Sequence, residues 1–562
     1  MRILLINPPI QDFFFTPQRA YSLGTLYLAA VLDLEGFEVK VLNALEGNKK
    51  TTLKIPQEFS YLKKYYQPNK SPFCLFSNYY HFGLTYPEIE TEIKSFKPQV
   101  VGISSNFSAY FDCAYKVAQV AKNIDKRIIV VLGGRFPTVL PEFVLNHKPI
   151  DFIIRGEAEL SLLRLCDNIS KAKIHRIDGL CWKTKNKRHI SSKISLVENL
   201  DSLPFPKREL INSSNYRFKG LISTSLISSR GCSFGCKFCA IGEKFRSRSA
   251  KNIFQEIEHC FTLGIRHFNF EDDNINLNPE FERILDLLIA NFAGKIKVSF
   301  MNGLLALGLS RRLCAKLVKA GLTHIDLSLV STKLALVRQT KRQEETKKIF
   351  SLAKYLTKYN IATTVHFIVA LPYQSFTDCL SDLKLLAKKS LFLGQSIFYP
   401  VIESGFFREL KEKFSVKVDD YAFFRSSCAY FDKFMSRDKI FFVFYLSRVI
   451  NFIKELIDMF SLKNSNFHSF LKEREEKFNI IDNILVSTKK IDRLSLGIIL
   501  LNRLFKENKI FRVQEQKKDS GFHYFFQEEG FIGEKSLRRL IHALTVKGLF
   551  SKASIKIKRA HY

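Results

Sequence analysis

Short apolar runs alternating with amphipathic helical stretches, twice over, restrict this chain to parallel α/β architecture. Ile3–Ile6, Val39–Leu42, Val100–Ser104 and Ile128–Leu132 read as strands buried on both faces, rich in Ile and Val. Leu23–Leu34 and Ala109–Lys122 carry helical apolar spacing between them. The pattern predicts a doubly wound, Rossmann-like sheet over residues 1–165. Residues 166–218, with the basic stretch Lys183–Lys187 and the run Leu203-Pro-Phe-Pro206, read as a linker. The rhythm then restarts with strands at Leu221–Ser228, His267–Phe270, Lys297–Phe300, His324–Leu329, Thr363–Val369 and Gln395–Tyr399, each but the last followed by a helical stretch. Six strand–helix units in series over residues 219–408 fit an open (β/α)6 partial TIM barrel. Residues 409–562 read as a mostly helical C-terminal domain of unassigned role, with Lys439–Phe460 and Ile491–Phe505 its most apolar segments. The first of these reads as a core helix, because Arg448, Lys454 and Asp458 leave a face for water; flat association with a membrane surface is the alternative.

No uninterrupted apolar run reaches the roughly 18 residues of a membrane-spanning helix, so no span is expected. The first residues lack the apolar core of a secretory signal. Eleven cysteines, an odd count, argue against a disulfide framework and for a reducing compartment, with the cytoplasm as default. A net charge of +33 would suit nucleic acid, yet the lysines are spread along the chain instead of clustering, and nucleic acid is not the expected partner.

Chemistry concentrates in Ser228-Ser-Arg-Gly-Cys232-Ser-Phe-Gly-Cys236-Lys-Phe-Cys239, directly after the first predicted barrel strand, where barrel active sites gather. Cys232, Cys236 and Cys239 can wrap one cubane iron–sulfur cluster, and three ligands for four irons leave one iron open. A structural zinc site would want a fourth ligand from a second Cys-x-x-Cys half, which is not nearby. A thioredoxin-like pair would leave Cys232 unexplained. The other eight cysteines read as core.

Cys-x-x-x-Cys-x-x-Cys with an aromatic residue, Phe238, before the last cysteine resembles the radical S-adenosylmethionine (SAM) superfamily motif. The resemblance implies a 4Fe–4S cluster whose open iron binds SAM and whose electron cleaves it to a 5′-deoxyadenosyl radical. Phe268-Asn-Phe-Glu-Asp-Asp-Asn274 resembles the stretch that contacts the SAM amino group, which implicates Asp272 and Asp273. Leu327-Ser-Leu-Val-Ser331 and Val369-Ala-Leu-Pro372 resemble two further SAM-contacting stretches and implicate Ser328 and Pro372, with Val330 where many members have Glu and Ala370 where Gly is usual. The N-terminal region resembles the cobalamin-binding domains fused ahead of such barrels, in Ile3-Leu-Leu-Ile-Asn-Pro-Pro9, Ser22-Leu-Gly-Thr-Leu-Tyr-Leu-Ala29, Val101-Gly-Ile-Ser-Ser105, Leu132-Gly-Gly134 and Ile154-Arg-Gly-Glu-Ala-Glu159. Ser104, Ser105, Gly133, Gly134, Gly156 and Glu157 are the implied corrinoid contacts, since short side chains let backbone approach a flat ligand closely. The Asp-x-His-x-x-Gly sequence that supplies a histidine to cobalt in many cobalamin proteins is absent.

The resemblance implies a cobalamin-dependent radical SAM enzyme acting on a small molecule by methyl transfer or related C–H functionalisation, with a flavodoxin or ferredoxin as electron donor. No catalytic side chain is assigned. The alternatives are an RNA-modifying methylthiotransferase, whose second cluster would have to come from Cys74, Cys113 and Cys166, or a degenerate corrinoid- or partner-binding scaffold.

Overall fold

The computed structural model describes residues 1–461, apart from 64, 67–77, 170–173, 185–186, 243 and 388, together with 512–515 and 522–524. Five parallel strands form the first sheet in the order Glu38–Asn43, Arg2–Asn7, Val100–Ser104, Ile129–Gly133, Phe152–Ile154. Ile3, Leu4, Leu5 and Ile6 are at most 1% exposed, as a strand covered on both faces requires. Between Arg2–Asn7 and Val100–Ser104 the strand order reverses, which opens a crevice at their C-terminal ends. The helix Tyr86–Phe96 starts on a capping box, Thr85 Oγ1 accepting from the Glu88 amide and Glu88 accepting from the Thr85 amide at 2.7 Å.

Residues 166–218 are more than a linker. Leu180–Lys183 and Arg188–His189 add antiparallel to the edge of the first sheet, so that sheet runs past the boundary expected at 165. The alternating Leu180, Cys181, Trp182 pattern pairs with Phe152–Ile154 and covers an otherwise open edge. Arg208, from the same segment, is fully buried and reaches Glu256 at 2.5 Å; Arg248 meets the other oxygen of Glu256 at 2.5 Å. Tyr27 bonds to Arg248, so this buried ionic knot ties together the first sheet's helix Leu23–Leu34, the segment and the barrel.

The second sheet contains the six expected strands: Leu221–Leu226, His267–Phe270, Lys297–Ser299, His324–Ser328, Ala362–Val369 and Phe392–Ile397. Neighbours pair in parallel, and single bridges at Val298–Leu322 and Leu304–Leu327 carry the order across the third and fourth. The barrel stays open beyond the last strand. Its edge is closed by Asn451 on the helix Arg437–Ser461, which donates to Leu393 O and accepts from Leu393 N, both at 2.8 Å.

That helix corrects the expected boundary at 408. Ile440, Phe441, Phe442 and Val443 are fully buried in the same core as the barrel helices, so the helix belongs to the barrel, and its apolar stripe faces protein, not membrane. Further on, the described residues hold an antiparallel pair, Arg512–Glu515 with Phe522–Tyr524. The expected helix at 491–505 lies outside the described residues. Among the described residues no helix is long and apolar enough to cross a membrane.

Candidate active site

A cavity of about 1990 Å³ separates the C-terminal ends of the first sheet from the mouth of the barrel. Ordinary small-molecule pockets span roughly 300–1,000 Å³, so this one has room for a large cofactor and a substrate together.

Its first wall is backbone and short side chains. Ser104, Ser105, Gly133, Gly134, Gly156 and Glu157, the implied corrinoid contacts, all line it. A Cβ built on Gly133 would meet nothing within 4 Å; the space beside it is the cavity. The Ser105 hydroxyl is buried without a hydrogen-bond partner. Bare backbone and an unsatisfied hydroxyl on a broad wall fit a flat polar-rimmed ligand such as a corrinoid. Gly134 and Gly156 have a different reason to be glycine: φ of 110° and 87°, with Ser105 and Ser195 backbone where a side chain would start.

Glu157 is already engaged. Its carboxylate takes Arg246 at 2.8 Å twice and the Val197 amide at 2.6 Å, and Arg230 lies 3.4 Å away. Burial alone would raise its pKa, but the Arg246 hydrogen bonds and the Arg230 charge hold it below the usual carboxylate range. Arg230 also bonds Glu159 at 2.6 Å. The Arg-Gly-Glu-Ala-Glu stretch is therefore a clasp onto the cysteine loop, and a corrinoid contact from the Glu157 carboxylate is not what the geometry favours.

The second wall is the barrel mouth. Gly231, with φ of 83°, turns the chain from Arg230 into the cysteines and lines the cavity. The loop is pinned from outside by Lys237 N to Thr340 O and Phe406 N to Lys237 O, and by Lys237 Nζ to Glu409 at 2.5 Å. Cys232 and Cys239 both lie close enough to Cys236 and Asp273 to feel their charge. Burial raises both thiols above the free value; the Phe234 amide opposes this at Cys232, and the Ile241 amide and the Arg135 charge oppose it at Cys239. Among the described residues no three His, Cys, Asp or Glu side chains converge on a single metal ion. A cubane asks for something wider, because each thiolate binds a different iron. The surroundings suit an anionic cluster: Arg342 is 3.9 Å from Cys236 Sγ, and the buried amide of Asn274, both polar atoms unpartnered, lies beside Cys232.

The two adjacent aspartates part company. Asp272 is 3% exposed and accepts from the Ser228 amide and from the hydroxyls of Ser228 at 2.7 Å and Ser229 at 2.5 Å. It braces the start of the cysteine loop and does not line the large cavity. Asp273 is exposed, lines the cavity and sits near both Cys232 and Cys239, where an ammonium could reach it.

Phe238, Ser328 and Pro372 do not line the large cavity. Phe238 packs half-buried, Ser328 lies against Gly303, and Pro372 is buried. Ala370, in the place of the usual Gly, keeps a left-handed φ of 62°, a conformation that costs a non-glycine residue about 1–2 kcal/mol. Val330, in the place of the usual Glu, is 5% exposed and packs in the core. Arg135, Asn274, Arg342 and the cavity-lining Tyr399 were not singled out in the sequence, although Arg135 follows Gly133-Gly134 and Asn274 ends the stretch that contains Asp272 and Asp273.

Two family models match: the radical SAM superfamily over residues 226–386 and the B12 binding domain over residues 77–165. The chain is a B12-binding-domain radical SAM protein. The cofactors of these two families are a 4Fe–4S cluster with SAM, and cobalamin. This radical SAM protein is 27% identical over 404 residues to an uncharacterized methyltransferase of Pyrococcus horikoshii, covering 70% of this chain and 80% of that one. It is 27% identical over 324 residues to cytidylyl-2-hydroxyethylphosphonate methyltransferase of Streptomyces wedmorensis, covering 50% and 57%. Its fold is similar to that of OxsB, a cobalamin-dependent SAM radical enzyme, with a TM-score of 0.59 at 14% identity over 97% of this chain and 84% of that one. The two family models support the cobalamin-dependent reading over an RNA methylthiotransferase.

Proposed function

We propose that the protein is a cobalamin-dependent radical SAM methyltransferase that methylates an unactivated carbon of a small molecule. The observation that carries this reading is the single cavity walled by bare strand ends on one side and by the cysteine-loop side of the barrel on the other. The names of the two relatives, both methyltransferases, support the reaction type.

When bound, the cluster and SAM supply a carbon-centred radical, and cobalamin supplies a methyl carrier. Cys232, Cys236 and Cys239 would hold the cluster, and Asp273 would receive the SAM ammonium. Gly133 and Ser105 would meet the corrinoid. Asp272 keeps the cysteine loop in place, and the Arg230–Glu157–Arg246 clasp fixes the two walls relative to each other. With both walls closed around one chamber, a reactive radical is kept from bulk water. A flavodoxin or ferredoxin in a reducing compartment, the cytoplasm, would provide the electron.

The test is anaerobic reconstitution of the full chain with iron, sulfide and cobalamin, followed by SAM and dithionite. About four irons per chain and 5′-deoxyadenosine are expected. S-adenosylhomocysteine would mark methyl transfer, since a methyl group leaving SAM as a cation yields it. A chain that holds the cluster yet forms no 5′-deoxyadenosine refutes the enzyme reading, and 5′-deoxyadenosine without S-adenosylhomocysteine refutes methyl transfer.

A further inference from the structure

A row of three ionisable side chains runs through the inside of the barrel. Asp326, on the fourth strand, is 1% exposed; its Oδ1 lies 3.0 Å from His366 Nε2 and its Oδ2 lies 3.0 Å from His324 Nε2. His366 is on the fifth strand, opposite Ser328 in register, and its side chain is 44% exposed to the large cavity. Gly394 on the sixth strand makes room for the ring: a Cβ there would stand 2.5 Å from His366 Nδ1. At the other end His324 accompanies His267 on the wall of a second cavity of about 60 Å³, with Phe218 stacked on His267 at 4.1 Å and near His324 at 6.0 Å. At ~30 Å³ per water this floor cavity admits one or two molecules. His366 at one end faces the large cavity and His324 at the other faces the small one, with Asp326 between them.

We propose that His366 is an acid–base residue for the substrate, and that Asp326, with His324 on its other oxygen, is a positioning residue that fixes the His366 tautomer and stabilises its imidazolium. The Asp326 carboxylate accepts the Nε2–H of His366, which leaves Nδ1 as the bare, basic nitrogen. Nδ1 takes a proton from an O–H or N–H of the substrate and the ring becomes an imidazolium, whose Nε2–H stays on the Asp326 carboxylate. Only N–H and O–H bonds change, and no electron leaves the row. The substrate class is a compound with an ionisable O–H or N–H near the carbon that reacts. Other charged groups on the same cavity wall are Arg19, Glu271, Asp273, Arg425 and Arg448, while Lys219 acts on His267 at the floor. Burial would raise the Asp326 carboxyl, but its hydrogen bonds to His324 and His366 hold it well below the usual carboxylate range, so it is an anion that both imidazoles can lean on.

The assignment rests on the reading that the large cavity holds the substrate, yet its test needs no cofactor, so the two can fail separately. With 12 histidines in the full chain, selective ¹⁵N labelling resolves the ring nitrogens. Wild-type His366 is expected to carry its proton on Nε2. Asp326→Ala removes the acceptor and should redistribute the ring proton between Nε2 and Nδ1. His324→Gln, which can still donate to Oδ2, should leave that proton on Nε2. Diethyl pyrocarbonate should modify His366 before His324 and His267. A bare Nε2 in the wild-type chain, a tautomer indifferent to Asp326→Ala, or His366 reacting last overturns the proposal.

Discussion

The two sheets that share the cavity present opposite chemistry to it. The first sheet fills both faces with Ile, Val and Leu and meets the cavity along its strand ends, where Ser104, Ser105, Gly133 and Gly134 stand beside the mid-strand Leu5, Gly102 and Val131. The barrel turns an inner face to the cavity, and that face is polar: Glu271, Thr364, His366 and Ser396 line it, with Asn269 and Asp326 behind. A flat sheet covered on both faces has no interior to offer, so it binds through backbone at its edge. A curved open sheet has an inside, and can hold side chains at fixed angles around a reacting group. The first wall is thus suited to holding and the second to reacting.

The largest effect expected is on the reacting wall. Cys236→Ala should lose the cluster and 5′-deoxyadenosine formation together, since a cubane rests on its thiolates; iron analysis returning about four irons would contradict the ligand assignment. Next is the joint between the walls. Glu157→Ala leaves Arg246 buried and unpaired, a loss of about 3–5 kcal/mol that a shift in urea midpoint would register. On the holding wall, Gly133→Leu should weaken cobalamin binding about 100-fold, equivalent to ~2.7 kcal/mol, while leaving thermal stability alone, because a side chain there enters the cavity and nothing else. Gly134→Ala should do the reverse and cost stability, as its Cβ would meet Ser105 backbone at 2.8 Å on a left-handed residue. Equal effects from the two glycines would erase the distinction between ligand-facing and fold-facing backbone.

What the sequence disclosed follows the same division. Strand–helix alternation located every barrel strand within about three residues, because short segments rich in β-branched and aromatic residues recur between helical stretches. The cysteine loop was legible because its chemistry needs three like residues close together in the chain. The Asp272–Asp273 pair was legible only as a pair: which carboxylate faces inward depends on Ser228 and Ser229 being 43–44 residues away in sequence and in contact in space. Glu157 looked like a ligand because it follows a glycine at a strand end, and its two arginine partners come from the barrel. His324 and Asp326 alternate on one strand and so share a face, but their meeting with His366 carries no spacing signal, since parallel neighbours lie a helix apart in the chain.

The smallest effect sharpens the comparison from the barrel floor. Burial pushes the His267 imidazole down to about 3, where it stays neutral with Ser223 bonded to Nδ1 at 2.7 Å. An unfolded chain protonates this histidine near 6.5, so between pH 6.5 and 3 the unfolded state binds more protons and stability falls as pH drops. At pH 5.5 the loss is about 1.4 kcal/mol relative to neutral pH. His267→Gln keeps a polar group beside Ser223 and does not titrate, so the gap between its urea midpoints at pH 7.5 and 5.5 should be narrower than in the wild-type chain by that amount. Among the described residues no histidine lines the first sheet's side of the cavity; a slope that survives His267→Gln unchanged would mean that the polar interior of the barrel is not what makes this fold sensitive to mild acid.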